Sequence, residues 1–385
     1  MSGHNSGGEK RAPRLIIAGG GTGGHLFPGI AVSDELRRQY PESSVLFVST
    51  GRPVERRILD NAGYPLAVIP ARGIKGMRIW AGIKAVAAAA AGVCASLRLL
   101  WDWKPDMVLG VGGYSSGPVV LAARILGIPA ALHEQNRRPG ITNRILARLV
   151  NRVYTSFDPE PFERICGKSP DKILRTGNPV RREIARLREA PDTDAAAVPP
   201  RNPDRFHLLI LGGSQGAKAV NAAVPEAVSL LPPDDREMLS ICHQTGEADR
   251  ETVAAAYEMH GAAAEVHAFL TDMAGRYAAA DLVICRAGAT TLAELTAAGK
   301  AALFIPFPHA ADDHQTENAR FLADNGAADM LAESELTPAA LAERLRHWLG
   351  RPEDRRGMAE KAAAFGMPDA AAVIAGDVLG RQSRL

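Results

Sequence analysis

Twice along this chain a strand-length apolar run empties into a glycine-rich turn. Arg14-Leu-Ile-Ile-Ala-Gly19 leads into a turn that ends at Gly24-His25, and His207-Leu-Leu-Ile-Leu-Gly212 leads into one that ends at Gly216-Ala217. Each turn opens a new series in which short apolar runs alternate with segments of helical period. That alternation implies parallel sheets with helices on both faces. A chain of 385 residues also exceeds the roughly 250–300 residues that one core supports. The fold class that follows is α/β: two Rossmann-like, doubly wound parallel-sheet domains facing across a cleft.

Strands are expected at 15–18, 45–49, 107–111 and 130–133, with helices at 24–40, 54–62, 81–100 and 118–126. The second half resumes with strands at 208–211, 239–243, 282–285 and 302–306. The domain limits read as a flexible polar tail over 1–14, a first domain over 15–176, and a linker with a Pro/Ala-rich loop over 177–206. A second domain covers 207–366, and a C-terminal helix in 367–385 crosses back towards the first domain.

Composition excludes several classes. A net charge of +2, with 23% charged and 46% hydrophobic residues, argues against disorder and against a protein that coats nucleic acid. Four scattered cysteines suit reduced thiols better than a disulfide frame or a zinc site. Residues 1–14 carry no apolar core of a signal peptide. The segment Trp80–Trp103 is interrupted by Lys84, Ser96 and Arg98 and is largely alanine, so it is not expected to span a bilayer.

The turns point to anion binding, because glycine lets backbone N–H groups at a helix start approach a phosphate. Tight strand-to-helix turns also use glycine purely for packing. Gly19-x-Gly21-x-x-Gly24 formally matches the dinucleotide pattern, yet the second strand ends Ser49-Thr50-Gly51 without the carboxylate that binds a ribose. A nicotinamide cofactor is therefore not expected, and no other cofactor is implied. A third turn, Cys285-Arg-Ala-Gly288, opens a helix at Ala289-Thr290-Thr291 with Glu294 one turn inside. There a diphosphate would meet the helix N-terminus and a ribose diol the carboxylate; the alternative is that Glu294 only complements the helix dipole. Asp192-Thr-Asp194 imitates a metal-binding DxD but lies in the Pro/Ala-rich loop, so no metal site is expected.

His25, directly after the first turn, is a candidate general base, with helix capping as the alternative. His133-Glu-Gln-Asn136 leaves a strand at its carboxyl end, where open α/β sheets bind ligands. His314-Gln315-x-x-Asn318 occupies the comparable place in the second half. Gly110 to Pro118 forms another glycine loop, suited to a second anion or to a plain turn.

The set GGGTGGH (19–25), GVGGYSSGP (110–118), HEQN (133–136), GNPVR (177–181), GGSQGA (212–217), CRAGATTLAEL (285–295) and the 306–319 segment resembles the MurG family in type and order. Its members are N-acetylglucosaminyltransferases that complete the lipid-linked precursor of peptidoglycan. The resemblance implies a GT-B fold and inverting transfer of GlcNAc from UDP-GlcNAc to the C4 hydroxyl of lipid I. By motif, Thr22, Gly23, Gly24, Asn136, Arg181, Ser214 and Gln315 contact the donor, and Leu270 meets the uracil. Ala289, Thr290, Thr291, Leu292, Ala293 and Glu294 form the diphosphate and ribose site. His25 is the favoured base, while Glu134 and Tyr114 face the acceptor.

The same resemblance implies the cytoplasmic face of the cell membrane as location, with other cell-wall synthesis proteins as partners. Arg72, Lys75, Arg78 and Lys84 beside Ile74, Met77, Ile79, Trp80 and Ile83 make a basic-apolar patch suited to anionic lipids. Competing readings are a UDP-GlcNAc 2-epimerase of the same fold, a non-catalytic nucleotide-sugar binder, and an NAD oxidoreductase.

Overall fold

The computed structural model describes residues 12–382 apart from 22, 72–78, 168, 170, 190–201 and 214–215. Side chains at 79–89, 379 and 381–382 are likewise not described.

In the first half, strands β1 (Arg14–Gly19), β2 (Ser44–Ser49), β3 (Leu66–Val68), β4 (Met107–Gly112), β5 (Ala130–Glu134), β6 (Arg152–Thr155) and β7 (Ile173–Arg175) form one sheet. Between them run α1 (Gly23–Gln39), α2 (Pro53–Ala62), α3 (Ile79–Trp103), α4 (Ser116–Ile125), α5 (Ile141–Leu146) and α6 (Glu160–Cys166). A short α7 (Arg182–Ala185) follows the crossing into the second half.

There, strands β8 (Phe206–Leu211), β9 (Leu239–Gln244), β10 (Ala264–His267), β11 (Leu282–Cys285), β12 (Ala302–Phe304) and β13 (Asp329–Met330) make the second sheet. Helices α8 (Lys218–Ser229), α9 (Pro233–Glu237), α10 (Arg250–Met259), α11 (Met273–Ala279), α12 (Ala289–Ala298) and α13 (His314–Asp324) alternate with the strands. The chain closes with α14 (Pro338–Leu349), α15 (Pro352–Phe365) and α16 (Ala370–Gln382).

Both sheets are parallel and share one order. The first runs β3-β2-β1-β4-β5-β6-β7 and the second β10-β9-β8-β11-β12-β13. In each, the order reverses between the first strand and the fourth, so the crevice at a switch point opens at β1/β4 and at β8/β11. The strands there are buried on both faces, as apolar runs such as Leu15–Ala18 and Leu208–Ile210 require. Each sheet separates two cores, one per face.

Helix α16 belongs by sequence to the end of the second half but packs on α1. Ile374, Ala375 and Val378 complete the first-half core with Leu26, Ile30 and Leu36. Asp377 accepts hydrogen bonds from Arg152 Nε (2.9 Å), Arg152 Nη2 (3.2 Å) and the Tyr154 hydroxyl (2.8 Å). The two chain crossings lie together, since a side chain at Gly177 (φ +83°) would run into Met367.

Candidate functional site

Gly20, Gly112 and Gly113 serve the close packing of two loops. The Gly20 N–H donates to the Gly112 carbonyl at 3.3 Å, joining the turns that leave β1 and β4. Gly112 (φ +96°) and Gly113 (φ +82°) sit in the left-handed region that disfavours a Cβ. A side chain at Gly113 would strike the Gly20 carbonyl, and one at Gly112 would lie 2.8 Å from His25 Nδ1. Thr22, within this turn, lies outside the described residues.

His25 therefore stands in the first turn of α1, its half-buried ring against the β4 loop. Nδ1 is sealed from solvent without a hydrogen-bond partner, as is Gln135 Oε1; Gln135 Nε2 donates to the Val111 carbonyl at 2.7 Å. Burial holds the His25 imidazole below the ordinary histidine value of 6.5, with His314 adding to the effect and Gln135 opposing it. The ring is thus neutral at physiological pH and able to accept a proton. His133, fully buried, bonds the Gly177 carbonyl (3.2 Å) and is pulled by burial to about 4.

Glu134 is held by the loop that follows β5. Its carboxylate accepts from the Asn136 N–H (3.0 Å), Asn136 Nδ2 (3.4 Å), the Gly140 N–H (3.0 Å) and Asn143 Nδ2 (2.9 Å). At 3% exposure it shapes the 135–140 loop. Burial pushes its carboxyl up against the pull of those four donors. Asn136, so oriented, accepts from Asn318 Nδ2 of α13 at 3.1 Å, and Asn318 Oδ1 accepts from the Arg137 N–H at 3.0 Å. Asn318 has no exposed surface and Asn136 is part-buried, and the pair bridges the halves. Tyr114 differs: it stands 52% exposed on the β4 loop.

Across the cleft, α12 presents its N-terminus. Its first turn holds no acidic residue, and its opening N–H groups precede the helical ladder. Thr290 Oγ1 donates to the Gly24 carbonyl at 3.0 Å, which sets this terminus against the turn bearing His25. The Leu292 side chain is 2% exposed and lies in the core with Leu295 and Phe304, because helical period turns it inward. Its N–H donates to the Gly288 carbonyl at 3.0 Å and its carbonyl accepts from the Thr296 hydroxyl at 2.9 Å. Glu294 is buried, with Oε1 accepting from Arg181 Nη2 (3.1 Å) and Oε2 from the Tyr277 hydroxyl (3.0 Å). Burial raises its carboxyl, and the Arg181 guanidinium opposes that. More than a dipole complement, Glu294 ties α12 to the segment joining the halves.

Gln315 Oε1 accepts from the Ala287 N–H (3.2 Å) and the Phe307 N–H (3.0 Å), holding together the loops after β11 and β12. The Leu270 N–H donates to Gln244 Oε1 at 3.0 Å. Gly23 and Ala293 remain part-accessible, and Gly24 is exposed. Ser214 lies outside the described residues, as do residues 72–78, the side chains of 79–89 and Asp192–Asp194.

Two groups were given no role by the sequence, Asn178 of the GNPVR motif and Glu55. Asn178 is buried with both side-chain polar atoms unpartnered, in a gap also lined by Ala289, Ala293 and Phe321. Glu55, fully buried, bonds the first glycine turn. Its sequence signal was local: Arg52-Pro53-x-Glu55 has the spacing of a helix start with an acid at the third position. Among the described residues, Cys242, Glu265 and His267 have metal-ligand spacing, but Glu265 is already paired with Arg276 at 2.7 Å.

The glycosyltransferase family 28 N-terminal domain model matches residues 15–155, and the C-terminal domain model of that family matches 207–374. The chain belongs to glycosyltransferase family 28. Family members with extensive identity include a protein of Trichlorobacter lovleyi, 45% identical over 95% of this chain and 97% of its own. One of Geobacter metallireducens is 46% identical over 95% and 98%. Both are named UDP-N-acetylglucosamine--N-acetylmuramyl-(pentapeptide) pyrophosphoryl-undecaprenol N-acetylglucosamine transferase. Among solved structures, MurG of Acinetobacter baumannii superposes with a TM-score of 0.72 at 34% identity, covering 96% of this chain and 99% of that one. A UDP-GlcNAc 2-epimerase of Neisseria meningitidis matches with a TM-score of 0.67 at 16% identity over 96% and 100% of the two chains, a likeness of fold. Two parallel-sheet domains of this kind are the GT-B architecture of glycosyltransferase family 28.

Proposed function

We propose that this chain is the N-acetylglucosaminyltransferase that moves GlcNAc from UDP-GlcNAc to the C4 hydroxyl of lipid I, giving lipid II in peptidoglycan synthesis. The observation that carries the reading is near-full-length identity of about 45% to transferases of that name. In this reading the second half grips UDP, with the diphosphate on the N–H groups of Ala289–Thr291 and the ribose on the Arg181–Glu294 pair. Leu270 offers its backbone to the uracil; Gln315, Asn136, Gly23 and Gly24 line the donor sugar side, with Thr22 and Ser214 completing the set by motif. His25 takes the proton from the C4 hydroxyl as it attacks the anomeric carbon from the face opposite UDP. A single in-line displacement inverts that centre and leaves a β-linkage. Tyr114 stands on the acceptor side.

UDP release that requires the lipid acceptor and survives EDTA is the expected result. Release or epimerised UDP-sugar without acceptor would favour the epimerase reading, and loss in EDTA would contradict departure of UDP on backbone dipoles alone.

We also place the enzyme on the inner face of the cell membrane as a peripheral protein. No described helix is long and apolar enough to span a bilayer. Ile125 (60% exposed), Ile141 (57%) and Ile145 (62%) crown α4 and α5, among Arg124, Arg144 and Arg148. Apolar tips within a basic rim suit anionic headgroups. Ile145→Glu is expected to cut sedimentation with phosphatidylglycerol vesicles at least fivefold while leaving the unfolding temperature in place; unchanged sedimentation would exclude this patch.

A further inference from the structure

The first glycine turn already holds an anion, and it is one of the protein's own. Glu55, at the third position of α2, has no exposed surface. Its Oε1 accepts from the Gly21 N–H, the amide that a phosphate would seek in a turn of this kind. Its Oε2 accepts from the Ser49 hydroxyl (2.9 Å) and the Arg52 N–H (2.7 Å), and the Thr50 hydroxyl lies 3.3 Å away. Among the described residues no cation is paired with it; backbone and hydroxyl donors alone surround the carboxylate. Arg52 adds a second link, from Nη1 to the Gly21 carbonyl at 3.5 Å.

The turn is clamped from both sides. A Cβ on Gly20 would run into the Glu55 carboxylate on one face, and a Cβ on Gly113 would run into the Gly20 carbonyl on the other. Glycine at 20 and 113 is thus required by the approach of a buried carboxylate and a second loop. Four residues beyond Gly21 stands His25, whose ring rests on Gly112. Moving the turn by a few tenths of an ångström shifts the imidazole relative to the cleft.

We infer that Glu55 is a positioning residue: acting as an internal anion in the first glycine turn, it fixes that turn and through it the orientation of His25. The inference rests on the reading of His25 as the base. It also predicts that the Gly21 amide is unavailable to any substrate phosphate. Glu55→Gln keeps the shape but replaces an oxygen acceptor with an NH2 donor. At least one of the donors now served is then left facing another donor.

A double-mutant cycle in the transfer assay tests this, with UDP binding stoichiometry used to count folded, donor-competent enzyme. Glu55→Gln alone is expected to lower kcat per UDP-binding site at least tenfold with the UDP-GlcNAc KM changed by less than twofold. In a His25→Ala background the same change should cost less than twofold, because residues acting as a unit do not add. Multiplicative losses in the double variant, or a loss appearing in donor KM, would overturn the inference. If His25→Ala is itself fully active, the base assignment fails, a different result from additivity in the cycle. Should Glu55→Gln not fold, Gly20→Ala, which drives a methyl into the carboxylate's place, is read the same way.

Discussion

At the residue scale the site is a set of buried polar groups whose partners decide their roles. His25 and Glu134 both leave glycine- or strand-borne positions at the cleft, yet the His25 ring is only half-buried, whereas Glu134 is sealed with its oxygens filled. A base must reach the hydroxyl that it deprotonates, which a part-exposed ring at the cleft can do. His25→Ala is expected to lower kcat by about 10²–10⁴, the usual range for a general base, while UDP affinity stays within twofold. Because burial lowers this imidazole, and the neutral form is the reactive one, the wild-type rate should rise with pH through a value below 6.5. A kcat/KM profile with its acid limb above 6.5, or one that persists in His25→Ala, would remove it as the base. Sequence made His25 legible through its place after the glycine turn. It could not show that Glu134 spends its lone pairs on Asn136, Gly140 and Asn143, since those bonds depend on how the loop folds back.

At the scale of elements, the strands that sequence revealed are the buried ones. β1, β4, β5, β8 and β11 are apolar runs because helices cover both faces. The edge strands β10 and β13 lack such runs, β6 opens with Arg152, and the edge strands β3 and β7 are only three residues long, so hydrophobic pattern passed over them. Helix α16 and its return to the first half were expected from sequence, but its partners were not; the Arg152–Asp377 pair joins positions that no local pattern connects. Since Ile374 is fully buried against α1, Ile374→Ala is expected to destabilise the first half by about 2–5 kcal/mol. Denaturant unfolding followed in the presence and absence of UDP would check this. A loss confined to the UDP-binding half would show that the helix serves the second domain instead.

At the scale of the whole molecule, two sheets that share a six-strand order, the first extended by β7, face each other through a few polar bridges. Asn136–Asn318 and Thr290–Gly24 span the cleft, and Arg181–Glu294 joins α12 to the segment between the halves. The repeat of strand and glycine turn announced this symmetry, whereas the bridges needed side chains from both halves. Burial also shapes the response to pH. His133 and His243 are drawn by burial to about 4 and about 3 in the folded state, so their unfolded forms bind protons first as pH falls. Stability that is complete above pH 6.5 should therefore decline as pH drops towards 4, by an amount on the order of a few kcal/mol. Thermal unfolding across that window would show it, and His243→Gln should flatten the decline. A flat wild-type profile would mean that these rings are solvated.

The most direct test of the central claim is transfer of radiolabelled GlcNAc from UDP-GlcNAc to a short-chain lipid I analogue. The expected product carries one β-linked GlcNAc on the C4 hydroxyl of the muramoyl residue, formed in step with released UDP. No labelled lipid product, or an α-linked one, would contradict it.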